Sequence, residues 1–64
     1  MPKKIRELIK ELTKAGFIDR GGKGSHRNFK HPSGAGFTLS GNPAQDAKPY
    51  QEKGVREVID EVKK

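Results

Sequence analysis

Hydrophobic residues recur along the chain at two different periods. Ile5, Leu8, Ile9 and Leu12 stand at i, i+3, i+4 and i+7, which is one stripe of an α-helix, while Lys3, Arg6, Glu7, Lys10, Glu11 and Lys14 fall mostly off it. Gly16 can take the left-handed conformation that ends such a helix, and Phe17 is placed to fold back onto its last turn. The same spacing returns in Val55, Val58, Ile59 and Val62, behind Pro49, whose missing N–H costs nothing in a first turn. Gly54 inside this second helix costs about 1 kcal/mol relative to alanine, so tertiary packing must hold it. Glu52 and Arg56 stand in the favourable order for a helical ion pair.

Between the helical stripes the chain changes to short segments bounded by glycine and proline. Phe17–Arg20, Ser25–His31 and Phe37–Ser40 read as three strands, separated by Gly21-Gly22-Lys23-Gly24 and by Pro32-Ser33-Gly34-Ala35-Gly36. A period of two puts Phe29 with Arg27 and His31 on one face of the middle strand, and His26, Asn28 and Lys30 on the other. Phe37 and Leu39 likewise share a face. These patterns predict a small α+β fold of order α-β-β-β-α, in which two helices pack on one face of a three-stranded antiparallel sheet and leave the opposite face polar. Gly41 to Lys48 reads as a polar connection with turn and capping signals at Asn42, Pro43 and Asp46, so residues 1–64 are expected to form a single domain.

Composition narrows what such a fold can do. With 64 residues, 30% of them hydrophobic, there is no material for a deep substrate cavity, and function is expected on the surface. The absence of cysteine removes disulfides and thiolate metal sites and fits a cytoplasmic protein. No metal or other cofactor is expected. No apolar run reaches signal-peptide or membrane-spanning length, so a membrane is not expected among the partners. Fourteen Lys and Arg against eight Asp and Glu leave a net charge of +6, which calls for an anionic partner. Nucleic acid is the first candidate, since neutralising phosphates releases condensed counterions; an acidic protein is the second.

Unusual chemistry is concentrated in residues 21–32, GGKGSHRNFKHP. The glycines around Lys23 allow close backbone approach to a ligand, but no Walker-type spacing exists, and a glycine-rich hairpin turn accounts for them equally well. His26 opens the middle strand on its polar face, with Asn28 and Lys30 following on the same side; an imidazole there is suited to exchange protons near neutral pH. His31 faces the Phe29 side and reads as a strand-end histidine capping the core edge. A shared metal site is not expected from two histidines on opposite faces. Glu7, Glu11, Glu57 and Glu61 read as solvated helix faces, and Asp19, Asp46 and Asp60 are scattered over separate elements, so no magnesium-dependent nuclease cluster is expected. A Ser25–His26 nucleophile–base pair is disfavoured, because adjacent strand residues point to opposite faces; Ser25 reads as a phosphate-contacting hydroxyl or a turn residue.

The run Ala15-Gly16-Phe17, a basic glycine turn, then Gly24-Ser25-His26-Arg27-Asn28-Phe29-Lys30-His31-Pro32, resembles the HicA toxin family. That resemblance implies a fold like the double-stranded-RNA-binding domain and a ribosome-independent mRNA endonuclease that halts translation, held inactive by a HicB-type antitoxin. It also implies that His26 is catalytic. Under this reading Arg20, Lys23 and Lys30 bind phosphates, with Gly24, Ser25 and Asn28 lining the RNA path and Lys48 and Lys53 gripping the backbone from the start of the second helix. Two other readings fit the same residues: a non-catalytic RNA-binding module, and an interaction domain for an acidic partner protein.

Overall fold

The computed structural model describes residues 3–22 and 26–63. Its elements are α1 (Ile5–Lys14), β1 (Ile18–Gly21), β2 (His26–Lys30), β3 (Gly36–Ser40) and α2 (Pro49–Lys63). The strands form one antiparallel sheet in the order β1-β2-β3, so the architecture is the expected α-β-β-β-α, consistent with a fold like the double-stranded-RNA-binding domain.

Both helical stripes are buried against one face of the sheet. Ile5, Leu8 and Leu12 of α1 and Val55 and Val58 of α2 meet Phe29 and Leu39 in the core, with Ile9, Phe37, Ile59 and Val62 packed at its margin. Helix α1 ends in a Schellman turn. The N–H of Gly16, at φ 104°, donates to the Thr13 carbonyl, and that of Phe17 donates to the Leu12 carbonyl at 3.0 Å. Phe17 is thereby buried against Leu12, and β1 begins one residue later than the spacing predicts. The middle strand also stops early, at Lys30, because the His31 N–H donates to the Ala35 carbonyl in the turn that leads to β3.

The connection between β3 and α2 does more than connect. The N–H groups of Ile5 and Arg6, which have no partner inside α1, donate to the carbonyls of Gln45 and Pro43 at 2.9 and 3.1 Å. Glu7 accepts the Lys4 N–H at 2.7 Å, Lys4 pairs with Asp46 at 2.8 Å, and Lys3 pairs with Glu11 at 2.7 Å. Glu7 and Glu11 are therefore engaged in structural ties and are not simply solvated. The expected Glu52–Arg56 pair does not close among the described residues; an exposed helical pair gains too little to fix two long side chains. The charges of Glu52 and Arg56 are instead felt at Lys3.

Gly54 has a specific neighbour. A Cβ built on it would stand 2.9 Å from Cε1 and 3.0 Å from Cζ of Phe37, so the bare helix backbone is the surface on which that ring rests. Gly54→Ala should therefore lower stability by about 1 kcal/mol, although alanine is the better helix former. In thermal melts this is a drop of roughly 4–8 °C, and a melt at or above the wild type would remove Phe37 from the account.

The hydrogen bond from Lys3 to Glu11, reinforced by the carboxylate's charge, raises the Lys3 pKa above its ordinary 10.5. A raised lysine pKa gives stability that is fully present below the ordinary value and is lost as pH rises through the folded-state value. Lys3→Gln should accordingly separate from the wild type in denaturant midpoint at neutral pH and converge with it in strongly alkaline buffer. A constant gap across that range would show that the ammonium is not the source.

Candidate nucleic-acid interface and its histidine

Alternation along β2 is read directly in its exposure: His26, Asn28 and Lys30 are exposed, Arg27 is half-buried and Phe29 is buried. Pairing extends the exposed set across the sheet, placing Ser40 opposite His26, Thr38 opposite Asn28 and Gly36 opposite Lys30. On the other side Ile18 lies opposite Lys30, and Gly21 opposite Asn28, with Arg20 as the extra residue of a β-bulge. Arg20, Asn28, Lys30 and Thr38, together with Phe29, Gly36 and Phe37, line an open concavity of about 730 Å³.

Two details shape this face. The Thr38 hydroxyl donates to Asn28 Oδ1 at 3.0 Å, which leaves the Asn28 amide hydrogens as donors toward solvent. Lys30 lies over Gly36, where no side chain competes for the space. Successive exposed residues of β2 are about 7 Å apart along the strand, so His26, Asn28 and Lys30 form a straight track. Among the described residues His26 makes no side-chain hydrogen bond and no ion pair.

The second histidine is committed elsewhere. The Ser33 N–H donates to His31 Nδ1 at 3.0 Å, and the Ser33 hydroxyl lies 2.9 Å from the same nitrogen. The ring tilts at 58° against Phe17 with centroids 5.1 Å apart, and its Nε2 lies over the bare Cα of Gly16. His31 seals the edge of the core, as its position before Pro32 suggests.

The start of α2 is tied to the His26 end of the sheet. Gln51, buried, donates from Nε2 to the Ser40 carbonyl at 2.8 Å and accepts the Lys48 N–H at 2.9 Å, so one side chain caps the helix and binds it to the residue opposite His26. Lys48 is exposed at that junction. Lys53 is not gathered with the sheet residues: it lines a separate shallow depression on α2 with Pro49, Glu52 and Arg56. Lys23, Gly24 and Ser25 lie outside the described residues. Among the described residues no group of three or more His, Asp or Glu side chains is placed to hold a metal ion, and no helix is long and apolar enough to cross a membrane.

With this geometry in view, the chain matches the family model of the HicA toxin of bacterial toxin-antitoxin systems over residues 5–60. The chain belongs to the HicA toxin family. No match is found among curated proteins. The matched span runs from the first turn of α1 into the last turns of α2 and so takes in every element of the fold of this HicA protein.

Sequence reasoning did not single out Gln51, Thr38, Gly22 or Asp19 as parts of the site. Gln51 had a local signal, a glutamine three residues after a helix N-cap, obscured because Lys48 cannot supply the other half of a capping box. Gly22 was read only as part of a glycine-rich turn; that a Cβ there would collide with the carbonyl of His26 depends on the two strands meeting.

The contrast between the two histidines is measurable. His31→Ala should cost about 1–2 kcal/mol through the lost ring contact and the unpaired Ser33 N–H, whereas His26→Ala should change stability by no more than about 0.5 kcal/mol. Equal losses in chemical denaturation would contradict the assignment of one ring to the core and the other to solvent.

Proposed function

We propose that this HicA protein is an mRNA endonuclease toxin of a type II toxin-antitoxin system, that residues 1–64 act as one domain, and that His26 is its catalytic residue. The observation that carries the reading is the exposure of His26 on the face of β2 that also carries Asn28 and Lys30, the latter two joining Arg20 and Thr38 around a concavity with no carboxylate in its lining. An RNA strand laid along β2 would set its phosphates against Arg20 and Lys30, with the Asn28 amide as a further donor. Lys48 would hold the backbone from the start of α2, and Lys53 would contact RNA only beyond the sheet. Lys23, Gly24 and Ser25, which precede His26 in the chain, complete the RNA-binding set in this proposal.

Cleavage at such a site needs no metal. A ribose 2′-oxygen, losing its proton to a base, forms a bond to the adjacent phosphorus while the bond to the 5′-oxygen breaks and that oxygen takes up a proton. His26 would serve as the base toward the 2′-hydroxyl or as the acid toward the leaving oxygen, and nearby cations would stabilise the charge developing on the phosphoryl oxygens. Cutting mRNA in the cytoplasm would halt translation without a ribosome. The same cationic face would be the surface that an acidic HicB-type antitoxin covers.

Labelled RNA incubated with purified protein in EDTA tests the reading. The wild type should give discrete products, and His26→Ala should cut at least about a hundredfold more slowly with an unchanged circular dichroism spectrum. Full activity in His26→Ala would remove the histidine from the chemistry. Intact RNA with a salt-sensitive mobility shift would identify a binding module, and no RNA affinity even at low salt would leave an acidic protein as the partner.

A further inference from the structure

The glycine hairpin between β1 and β2 delivers His26, and a single side chain grips both of its sides. Asp19 Oδ1 accepts the Gly21 N–H at 2.8 Å, and Asp19 Oδ2 accepts from Arg27 Nη1 at 3.1 Å. Gly21 is the last residue of the incoming strand, and Arg27 directly follows His26 on the outgoing one. On the β3 side His26 is registered against Ser40; on the β1 side the ladder is interrupted at Arg20, and the last pair among the described residues is Gly21–Asn28. The Asp19 carboxylate spans that interruption.

We propose that Asp19 is a positioning residue for His26, acting through Gly21 and Arg27 to fix the mouth of the hairpin; the inference rests on the catalytic reading of His26. The chemistry suits the task. A carboxylate has an acceptor for each partner, whereas an amide in its place could accept from Gly21 but not balance the Arg27 charge. The location suits it too. Asp19 is paired with Phe29 and so belongs to the helix-facing side of the sheet, which keeps its negative charge off the face that would meet phosphates. Because Asp19 and Arg27 are both partly exposed, their ion pair contributes well under about 1 kcal/mol to stability, so its loss should register in the placement of the hairpin more than in global unfolding.

Single-turnover cleavage, RNA titration and thermal melts of Asp19→Ala, Asp19→Asn, Arg27→Gln and the Asp19→Asn/Arg27→Gln double variant decide the matter. Asp19→Ala should cleave about tenfold more slowly, with RNA affinity within about twofold of the wild type and a melting temperature within a few degrees. Asp19→Asn, which keeps the acceptor for Gly21, should fall between; Arg27→Gln should match it, and the double variant should lose nothing further. Wild-type cleavage by Asp19→Ala, or a loss confined to RNA affinity, overturns the proposal. Should the wild type not cleave RNA at all, the nuclease reading fails separately, and the clamp is judged on amide exchange at Arg27 and on the His26 ring resonances of wild type and Asp19→Ala. Selective changes there support it, and identical spectra overturn it.

Discussion

The burial of Phe29 is the constraint on which the functional face depends. This ring is 1% exposed and sits in the middle strand, paired with Asp19 on one side and Phe37 on the other. Burying it stabilises the fold by roughly 1.5–3 kcal/mol, and the strand's period of two then leaves no freedom: residues one step away face outward. A slip of one residue would expose the ring and turn His26, Asn28 and Lys30 toward the hydrocarbon of the helices, at a large desolvation cost. The polar track is therefore specified by an apolar choice.

Charge is sorted between the two sides in a way that serves an anionic ligand. The three strands contain one acidic residue, Asp19, and it lies on the helix-facing side. Glu7, Glu11 and Asp46 are used to cap or tether α1. The exposed sheet face is left with cations, a histidine, hydroxyl and amide groups and the exposed Ile18, with no carboxylate from the strands among them. The helices carry a second duty besides forming the core. Gln51 joins the start of α2 to Ser40, so the end of the sheet that holds His26 is braced by a buried hydrogen bond and not by strand pairing alone.

Much of this was legible in spacing. The two helices, the three strands, the parity of β2 and the placement of His26, Asn28 and Lys30 follow from periods of 3.6 and 2, and each reappears in the structure. What spacing did not reveal was what depends on elements meeting. Gly54 reads as a defect along the chain and becomes a seat for Phe37 once α2 crosses β3. The bulge at Arg20 has no periodic signature, since one extra residue in a strand of this length looks like a boundary. Phe17 and His31 fit the strand alphabet, yet each lies just outside a strand, because a helix cap claims the first and a turn the second. Lys53 shares the charge of the sheet cations but not their face, a distinction that composition cannot make.

The two histidines show why exposure and not residue type decides the chemistry. His31 accepts the Ser33 N–H at Nδ1, which leaves its proton on Nε2, and that nitrogen faces Gly16. His26 carries no such commitment among the described residues. In the proposed cleavage a lone imidazole that takes a proton from a 2′-hydroxyl, or gives one to a leaving oxygen, must restore its starting state before the next strand is cut. Its exposure on β2 would let that exchange run directly with solvent, without a second histidine to relay it, so the feature that makes His26 dispensable to the core is the one that the proposed one-histidine mechanism needs.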